Sequence, residues 1–246
     1  MQSPLQHERG CIIGLQSACN GIICFNGVFH TFIIQFKANG YNKLFRLPAK
    51  ELVDKRYYMD DVFGNAAKTL NERLQHAACI QGMAGFADRF LLQFLSQNQK
   101  TAQVYDGITF VANELFTNAP LLTIEAYASK ANMSARNFGR RFMEHVGISP
   151  KFYCRLLRFN KAVITKIKKT TISWTSIAQE CGYYDQMHMI RDFKQFADVN
   201  PAELFHSAEG FTRSRIDATQ KSDHVFGDLN SNLQNEKFIT VERTAF

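Results

Sequence analysis

The feature that most constrains this sequence is an internal repeat in its C-terminal half. Two segments about fifty residues apart share apolar, arginine and proline positions. At spacings of 50 and then 51, the matching pairs are Ile124 and Trp174, Ala128 and Ala178, Phe138 and Met189, Arg140 and Arg191, Phe142 and Phe193, Ile148 and Val199, Ser149 and Asn200, and Pro150 and Pro201. The second copy therefore has one extra residue, which we place in its turn. The repeat predicts two similar units.

Each copy has the signals of a short helix, a tight turn and a second helix. Thr123 and Ser134 are predicted N-caps in the first copy, where Asn132 lies at a turn position that favours a left-handed residue. In the second copy Gly182 takes the turn, and Asp185 is the predicted N-cap of the following helix. This outline is that of a helix-turn-helix, whose second helix enters the major groove of DNA. For one copy alone, a plain helical bundle would have the same outline.

The segment between the copies predicts one long helix over 150–169. Its apolar residues are predicted to share one face: Tyr153, Leu156, Leu157, Val163, Ile164 and Ile167. Twenty residues give a helix of roughly 30 Å, close to the spacing of about 34 Å between successive major-groove faces of DNA. The basic residues of this helix are candidates for phosphate contacts or ordinary solvated charges: Arg155, Arg158, Lys161, Lys166, Lys168 and Lys169.

The net charge of +7 is concentrated in the same region. Residues 118–206 contain 13 Lys and Arg against 7 Asp and Glu, whereas residues 1–117 contain 11 against 9 and residues 207–246 contain 5 against 6. A basic segment in a nearly neutral chain indicates a module that binds a polyanion. A solvated charged surface is the alternative that charge alone leaves open.

The run from Ile177 to Lys194, IAQECGYYDQMHMIRDFK, is followed by Asn200-Pro201. Because of this run, residues 118–206 resemble the DNA-binding domain of the AraC/XylS-type bacterial transcription regulators. Residues 10–97 resemble the smaller sensor-type domain of one branch of that family. The resemblance implies sequence-specific binding to double-stranded DNA, with a non-catalytic ligand sensor attached as an alternative arrangement. It also makes a DNA-repair methyltransferase-type relative an alternative, although Cys11 and Cys19 lack basic neighbours that would lower a thiol pKa.

In the first recognition helix, the resemblance places base contacts at Arg136, Gly139 and Arg140. The two arginines are four residues apart and therefore share a helix face. Arginine can form a bidentate contact with guanine, and the glycine permits close approach. Arg141 points elsewhere, toward DNA or an acidic partner.

In the second recognition helix, the resemblance places the contacts at Gln186, Met187, Ile190 and Arg191. Glutamine suits adenine, and an apolar side chain can meet a thymine methyl group. Ordinary core packing is the alternative for Met187 and Ile190. In the connecting helix we include Lys166 as a phosphate contact.

The remaining segments predict an α+β protein. Strands are predicted at Gly10–Ile13, Gly21–Phe25 and Phe29–Phe36, followed by a helical hairpin over about 65–97. The N-terminal part is thus a small β-rich domain with a helical hairpin, and the C-terminal part is all-α, with two helix-turn-helix units joined by a long helix. We expect a sensor or dimerisation domain over 1–100, a linker helix over 101–117, the DNA-binding domain over 118–206 and a polar, flexible tail over 207–246. The stripe of Phe86, Phe90 and Phe94 is either core or the surface of a homodimer formed through residues 65–97.

Other function classes lack their sequence signatures. The six cysteines form no C-x-x-C pair, the seven histidines form no H-E-x-x-H motif, and no phosphate-binding glycine loop is present. We therefore predict no enzyme, no cofactor, no metal and no membrane span, in a soluble cytoplasmic protein with reduced thiols. His188 is expected to be buried beside Met189. RNA polymerase and an unidentified small-molecule effector are further candidate partners, and RNA binding or scaffolding is a third function class.

Overall fold

A computed structural model of the protein describes residues 10–19, 32–45, 47–98, 106–118 and 123–205. Within these ranges the fold is mostly helical, with a small two-stranded sheet near the N-terminus. The helices and strands, in chain order, are β1 Cys11–Ile13, α1 Gly40–Phe45, a 3₁₀ helix Ala49–Leu52, β2 Arg56–Tyr58, α2 Met59–Phe63, α3 Asn65–Gln75, α4 Ile80–Asn98, α5 Gly107–Asn118, α6 Ile124–Lys130, α7 Ala135–Val146, α8 Pro150–Lys168, α9 Trp174–Glu180 and α10 Gln186–Ala197.

The sheet pairs β1 and β2 in antiparallel register, with Cys11 opposite Tyr58 and Ile13 opposite Arg56. The first predicted strand is therefore present. The predicted strand at Gly21–Phe25 lies outside the described residues, as does the start of the one at Phe29–Phe36; residues 32–36 have no strand pairing. The predicted tail over 207–246 also lies outside the described residues.

α3 and α4 pack against each other where the periodicity predicts a helical hairpin. Phe90 is buried, with its ring centroid 5.8 Å from that of Phe63 and 5.0 Å from that of Phe94. Phe94 also contacts Phe45 of α1 at 5.2 Å. The phenylalanine stripe therefore belongs to the core of its own chain, so a homodimer through residues 65–97 would have to use other side chains.

The first C-terminal unit, residues 123–146, has an apolar core. Phe138 and Phe142 of α7 are completely buried, and the ring of Phe142 lies 5.6 Å from that of Tyr153 at the start of α8. The segment predicted as a linker helix contributes α5, whose fully buried Ile108 and Val111 belong to the same cluster. α5 thus stabilises the first unit.

The second C-terminal unit, residues 173–197, packs on the other half of α8. Its core includes Ile177, Met189 and Phe193, all completely buried, together with Ala162 of α8. Tyr153, which packs in the first unit, precedes Ala162 by nine residues, or two and a half helical turns. The two units therefore contact opposite sides of α8. The single apolar face predicted for this helix is wrong, because each half turns a different side inward; Ile164 is left 50% exposed and Ile167 38% exposed.

The two turns repeat the same hydrogen bonds. The N–H of Met133 donates to the carbonyl of Ala128 at 2.9 Å, and fifty residues later the N–H of Tyr183 donates to the carbonyl of Ala178 at 2.9 Å. Asn132 and Gly182 have φ values of 56° and 76°, in the left-handed region expected for helix-ending turns. The predicted N-caps also form: the side chains of Thr123, Ser134 and Asp185 each accept a backbone N–H. The side chain of Ser149 does the same at the start of α8.

The N-terminal part contacts both units. Gly147, with a φ of 95°, lies so close to the 3₁₀ helix that an added Cβ would be 3.0 Å from the carbonyl oxygen of Ala49. Farther along the chain, the N–H of Cys19 donates to the carbonyl of Gln195 in α10 at 3.3 Å. These contacts join the N-terminal part to both helical units.

Candidate DNA-binding site

α7 presents two arginines on its exposed face, as the spacing predicts. Arg136 and Arg140 are both exposed, while Phe138 and Phe142 occupy the opposite, buried face. The Arg140 guanidinium donates to Glu144 at 2.7 Å and to the side-chain oxygen of Asn137 at 3.1 Å. Arg140 is therefore held in a defined orientation before it meets a ligand.

Gly139 is half-buried, and an added Cβ there would meet no atom within 4 Å apart from its own helix. Packing within the chain therefore does not require glycine at this position, and glycine lowers helix stability by roughly 1 kcal/mol relative to alanine. Arg141 is half-buried, and its charge adds to the effect of burial, which lowers the pKa of the His145 imidazole. It lies at the side of α7, away from Arg136 and Arg140.

α10 presents a more apolar exposed face. Met187 is 58% exposed, so the core-packing alternative is wrong for this residue. Arg191 is exposed, and Ile190 is half-buried at the edge of the same face. Gln186 is half-buried, and its side-chain oxygen accepts a hydrogen bond from Thr175 at 2.8 Å. Thr175 does not bind the amide nitrogen of Gln186.

An ion pair fixes the buried side of α10 to α8. Asp192 is only 1% exposed, and its Oδ1 accepts from the Nε of Arg155 at 3.0 Å and from Nη2 at 2.6 Å. Arg155 also donates to Gln195 at 2.6 Å. Burial, reinforced by Asp192, raises the pKa of Tyr183 far above its ordinary value, so this phenol stays neutral.

The other basic residues of α8 mostly bind within the chain. Arg158 donates to the carbonyl of Gly182 at 3.2 Å, and Lys161 donates to the carbonyl of Glu180 at 3.0 Å. Lys169 pairs with the Glu180 carboxylate at 2.8 Å. These bonds hold the second unit on α8.

Lys166 has similar local partners. Its ammonium donates to the carbonyls of Thr170 and Ile172 at 2.7 and 2.9 Å and lies 5.1 Å from the centre of the Trp174 ring. Lys168, by contrast, is exposed. A phosphate contact by Lys166 therefore stays a prediction, and it would compete with these bonds.

His188 corrects an expectation, because it is exposed rather than buried. The residue lies in the first turn of α10, where only Met189 points inward. Adjacent side chains of a helix point about 100° apart, so His188 is exposed although Met189 is buried. The backbone N–H of His188 donates to the Asp185 side chain at 2.6 Å.

Sequence reasoning also missed three exposed or partly exposed polar residues of this surface. Lys194 follows Met187 by two helical turns and is exposed on the same face. Glu144 follows Arg140 by one helical turn and accepts a hydrogen bond from it. Tyr184, in the turn between α9 and α10, is 92% exposed. Helical periodicity could have identified Lys194 and Glu144, but no sequence signal marks the exposure of Tyr184.

Features of other site types are absent from the part of the chain that the structure describes. In these ranges no group of three or more His, Cys, Asp and Glu side chains is arranged to hold a metal ion. Among the described helices, none combines the length and apolar composition that a bilayer crossing requires. The described cysteines are all free thiols, and burial raises the pKa of Cys154 to about 11.

Comparison with known proteins agrees with this geometry. A family model described as a helix-turn-helix domain matches residues 127–207. An uncharacterised HTH-type transcriptional regulator of Haemophilus influenzae is 29% identical over 110 residues, which are 41% of this chain and 37% of the relative. The HTH-type transcriptional regulator MtrA of Neisseria gonorrhoeae is 31% identical over 32% of this chain and 26% of its own. The HTH-type transcriptional activator RhaS of Escherichia coli is 28% identical over 35% of this chain and 31% of its own.

The chain thus spans about a third of the length of the curated relatives it matches. The matched part contains the duplicated turns together with α7, α8 and α10. Residues 127–207 therefore form a helix-turn-helix domain of the AraC type.

Proposed function

We propose that the chain is a transcriptional regulator that binds double-stranded DNA by inserting α7 and α10 into two adjacent major-groove segments. The observation that carries the proposal is the duplication of one turn geometry, with Arg140 and Arg191 at matching, exposed positions of the two recognition helices. Arginine at such a position contacts guanine O6 and N7 and discriminates against other bases by about 1–3 kcal/mol.

The connection between the units supports binding to adjacent groove segments. α8 has 19 residues, and at 1.5 Å per residue it is about 28 Å long. Successive major-groove faces on one side of DNA are about 34 Å apart. Because the ion pair between Arg155 and Asp192 fixes α10 on α8, the second helix is held at a set distance from the first.

The two helices present different chemistry to DNA. On α7, Arg140 is held by Glu144, and a carboxylate can itself accept a hydrogen bond from cytosine N4. On α10, Met187 offers an apolar surface beside Arg191. We therefore expect an asymmetric binding site of two dissimilar blocks about one helical turn apart.

Selection of bound duplexes from a random pool, followed by sequencing, tests this expectation. Two unlike blocks separated by about one turn of DNA are the expected outcome. If the most tightly bound duplexes were strictly palindromic, recognition by two unlike helices would be contradicted. Equal binding to all duplexes, or stronger binding to single-stranded RNA, would contradict the proposed function itself.

Substitutions test the roles of individual residues. Arg140→Ala should weaken binding to the best site by about 1–3 kcal/mol and relax base preference at one position. Lys168→Ala, which removes an exposed charge of α8, should weaken binding to all sequences slightly and equally. If both variants lower affinity for every sequence to the same degree, Arg140 does not read a base.

Glu144→Gln separates two roles of this carboxylate. If Glu144 orients Arg140, the variant should relax preference at the same base pair as Arg140→Ala. If Glu144 accepts from cytosine, preference should relax at a neighbouring base pair. RNA polymerase, a second copy of the chain and a small-molecule effector remain predicted partners.

A further inference from the structure

A groove between α3 and α4 lies outside the helix-turn-helix domain. Its volume is about 370 Å³, which falls in the range typical of sites for small molecules. Leu70, Phe86 and Phe90 give it apolar walls, and all three belong to the packed core of the helical hairpin. The groove is therefore shaped by well-packed helices rather than by loops.

Two arginines lie at this groove around one aromatic ring. The guanidinium carbons of Arg73 and Arg89 are 6.0 and 4.9 Å from the centre of the Phe86 ring. They are consequently no more than 10.9 Å from each other, since both distances are measured from the same point. Stacking on the ring positions both guanidinium groups at the groove.

Among the described residues, no acidic side chain offsets the positive charge of the groove. None of its lining residues is an Asp or Glu. Neither Arg73 nor Arg89 forms an ion pair with another residue of the described ranges. The sequence neighbours Glu72 and Asp88 lie on the same helices but do not line the groove. A concave surface with one sign of charge and apolar walls attracts a counter-ion.

Uncharged hydrogen-bonding groups complete the lining. Asn65 and Thr69 of α3 and Gln93 of α4 supply amide and hydroxyl groups. A few polar groups on an apolar wall are typical of a site that fixes the orientation of a small ligand.

We propose that this groove binds a small organic anion, with its carboxylate or phosphate at Arg73 and Arg89 and its apolar part against Phe86 and Phe90. Arginine recognises both kinds of oxyanion through its planar set of N–H donors. The proposal does not depend on DNA binding, because the groove belongs to α3 and α4.

Titration calorimetry on the full chain without DNA tests the proposal. The probes are phenylacetate and phenyl phosphate, which share an aromatic body and differ in the anionic group, and phenylacetamide as the neutral analogue. At least one anion should bind saturably, and the anion that binds more tightly identifies the preferred group. Failure of both anions to saturate at up to about 10 mM, where even a Kd of 1 mM would be detected, would overturn the proposal. Equal binding of the neutral amide would also overturn it.

Variants localise the binding. Arg89→Gln should raise the Kd about tenfold, the effect of losing roughly one charge-assisted hydrogen bond, and Arg73→Gln should act in the same direction. Lys68→Gln removes an exposed charge from α3 outside the groove and should leave the Kd unchanged. Circular dichroism checks that each variant is folded, and either arginine variant suffices if the other is not. Wild-type affinity in a folded arginine variant would place the anion elsewhere and refute the assignment.

Discussion

The two helix-turn-helix units have the same turn but hold their recognition helices differently. α7 is held by apolar contacts, with Phe138 and Phe142 completely buried and α5 added to their core. α10 is held by Met189 and Phe193 and, in addition, by a buried ion pair from Asp192 to α8. The first unit thus depends mainly on apolar burial, with partly exposed polar contacts to α5 from Lys130 to Glu114 and from His145 to Asp106. The second unit also depends on an ion pair whose carboxylate is buried.

This difference has a consequence for DNA recognition. An ion pair fixes a helix orientation only while both partners are present, and removal of one partner leaves a buried charge without compensation. Among its described contacts, the first unit has no ion pair as deeply buried as this one. We therefore expect α10 to be the more easily misplaced recognition helix.

The largest expected effect comes from Asp192→Ala. This change removes the buried partner of Arg155 and should destabilise the folded chain by about 3 kcal/mol, near the low end for a broken buried pair because Arg155 retains some exposure. Urea unfolding followed by circular dichroism measures this difference. Glu180→Gln is the control: it breaks an exposed pair with Lys169 and should cost less than about 1 kcal/mol. Equal losses in the two variants would show that the buried pair at Asp192 stabilises the second unit no more than the exposed pair at Glu180 does.

A smaller effect is expected at two glycines, one in each unit. Gly182 has a φ of 76°, so Gly182→Ala should destabilise the second unit by about 1 kcal/mol. Gly139 lies inside α7 with open space at its Cβ position, so Gly139→Ala should stabilise the chain by about 0.5–1 kcal/mol. Thermal unfolding of the two variants measures both changes.

The Gly139→Ala variant also tests the proposed contact surface. If DNA approaches the backbone of α7 closely, Gly139→Ala should weaken binding to the selected duplex although it stabilises the fold. Unchanged affinity in that variant would argue against a close approach at Gly139.

The smallest expected effect is a pH dependence of the folding stability, caused by His145 in the last turn of α7. Burial lowers the pKa of His145 below its ordinary value; Asp106 and Glu144 oppose this shift, and Arg141 and Lys43 add to it. The unfolded chain therefore binds the proton more readily than the folded chain. This contribution to stability is complete above the unfolded pKa of about 6.5 and is lost as the pH falls through the lower folded value.

Urea unfolding at a series of pH values from about 7.5 to 5 measures this dependence. His145→Gln should flatten the decline, whereas His188→Gln, at an exposed position of α10, should leave it unchanged. A decline of the same steepness in the His145→Gln variant would assign the pH dependence to other groups.

Much of the helix-turn-helix domain could be predicted because its signals are local. An N-cap needs one oxygen-bearing side chain next to a free backbone N–H, as at Ser134, and a helix-ending turn needs one residue that tolerates positive φ, as at Gly182. The repeat spacing then predicts the second unit from the first. The exposed positions of Arg136, Arg140 and Arg191 follow from the same helical periodicity.

The predictions that failed concern which face of a helix is buried and which neighbouring element covers it. A helical pattern predicts that a face is apolar but does not say which neighbour covers it. The sequence alone therefore could not decide between core and dimer surface for Phe90, or assign the halves of α8 to opposite units. His188 was misplaced for the same reason, because its burial depends on the direction that α10 takes across α8.

The amino-acid sequence by itself determined the two turns, their caps and the residue types on the recognition helices, since each depends on groups within a few positions along the chain. Tertiary structure alone decided that Arg155 binds Asp192, that α5 joins the first core and that Arg73 and Arg89 meet at one ring. Each of these arrangements brings together side chains of different helices, and its geometry is set only when the helices have packed.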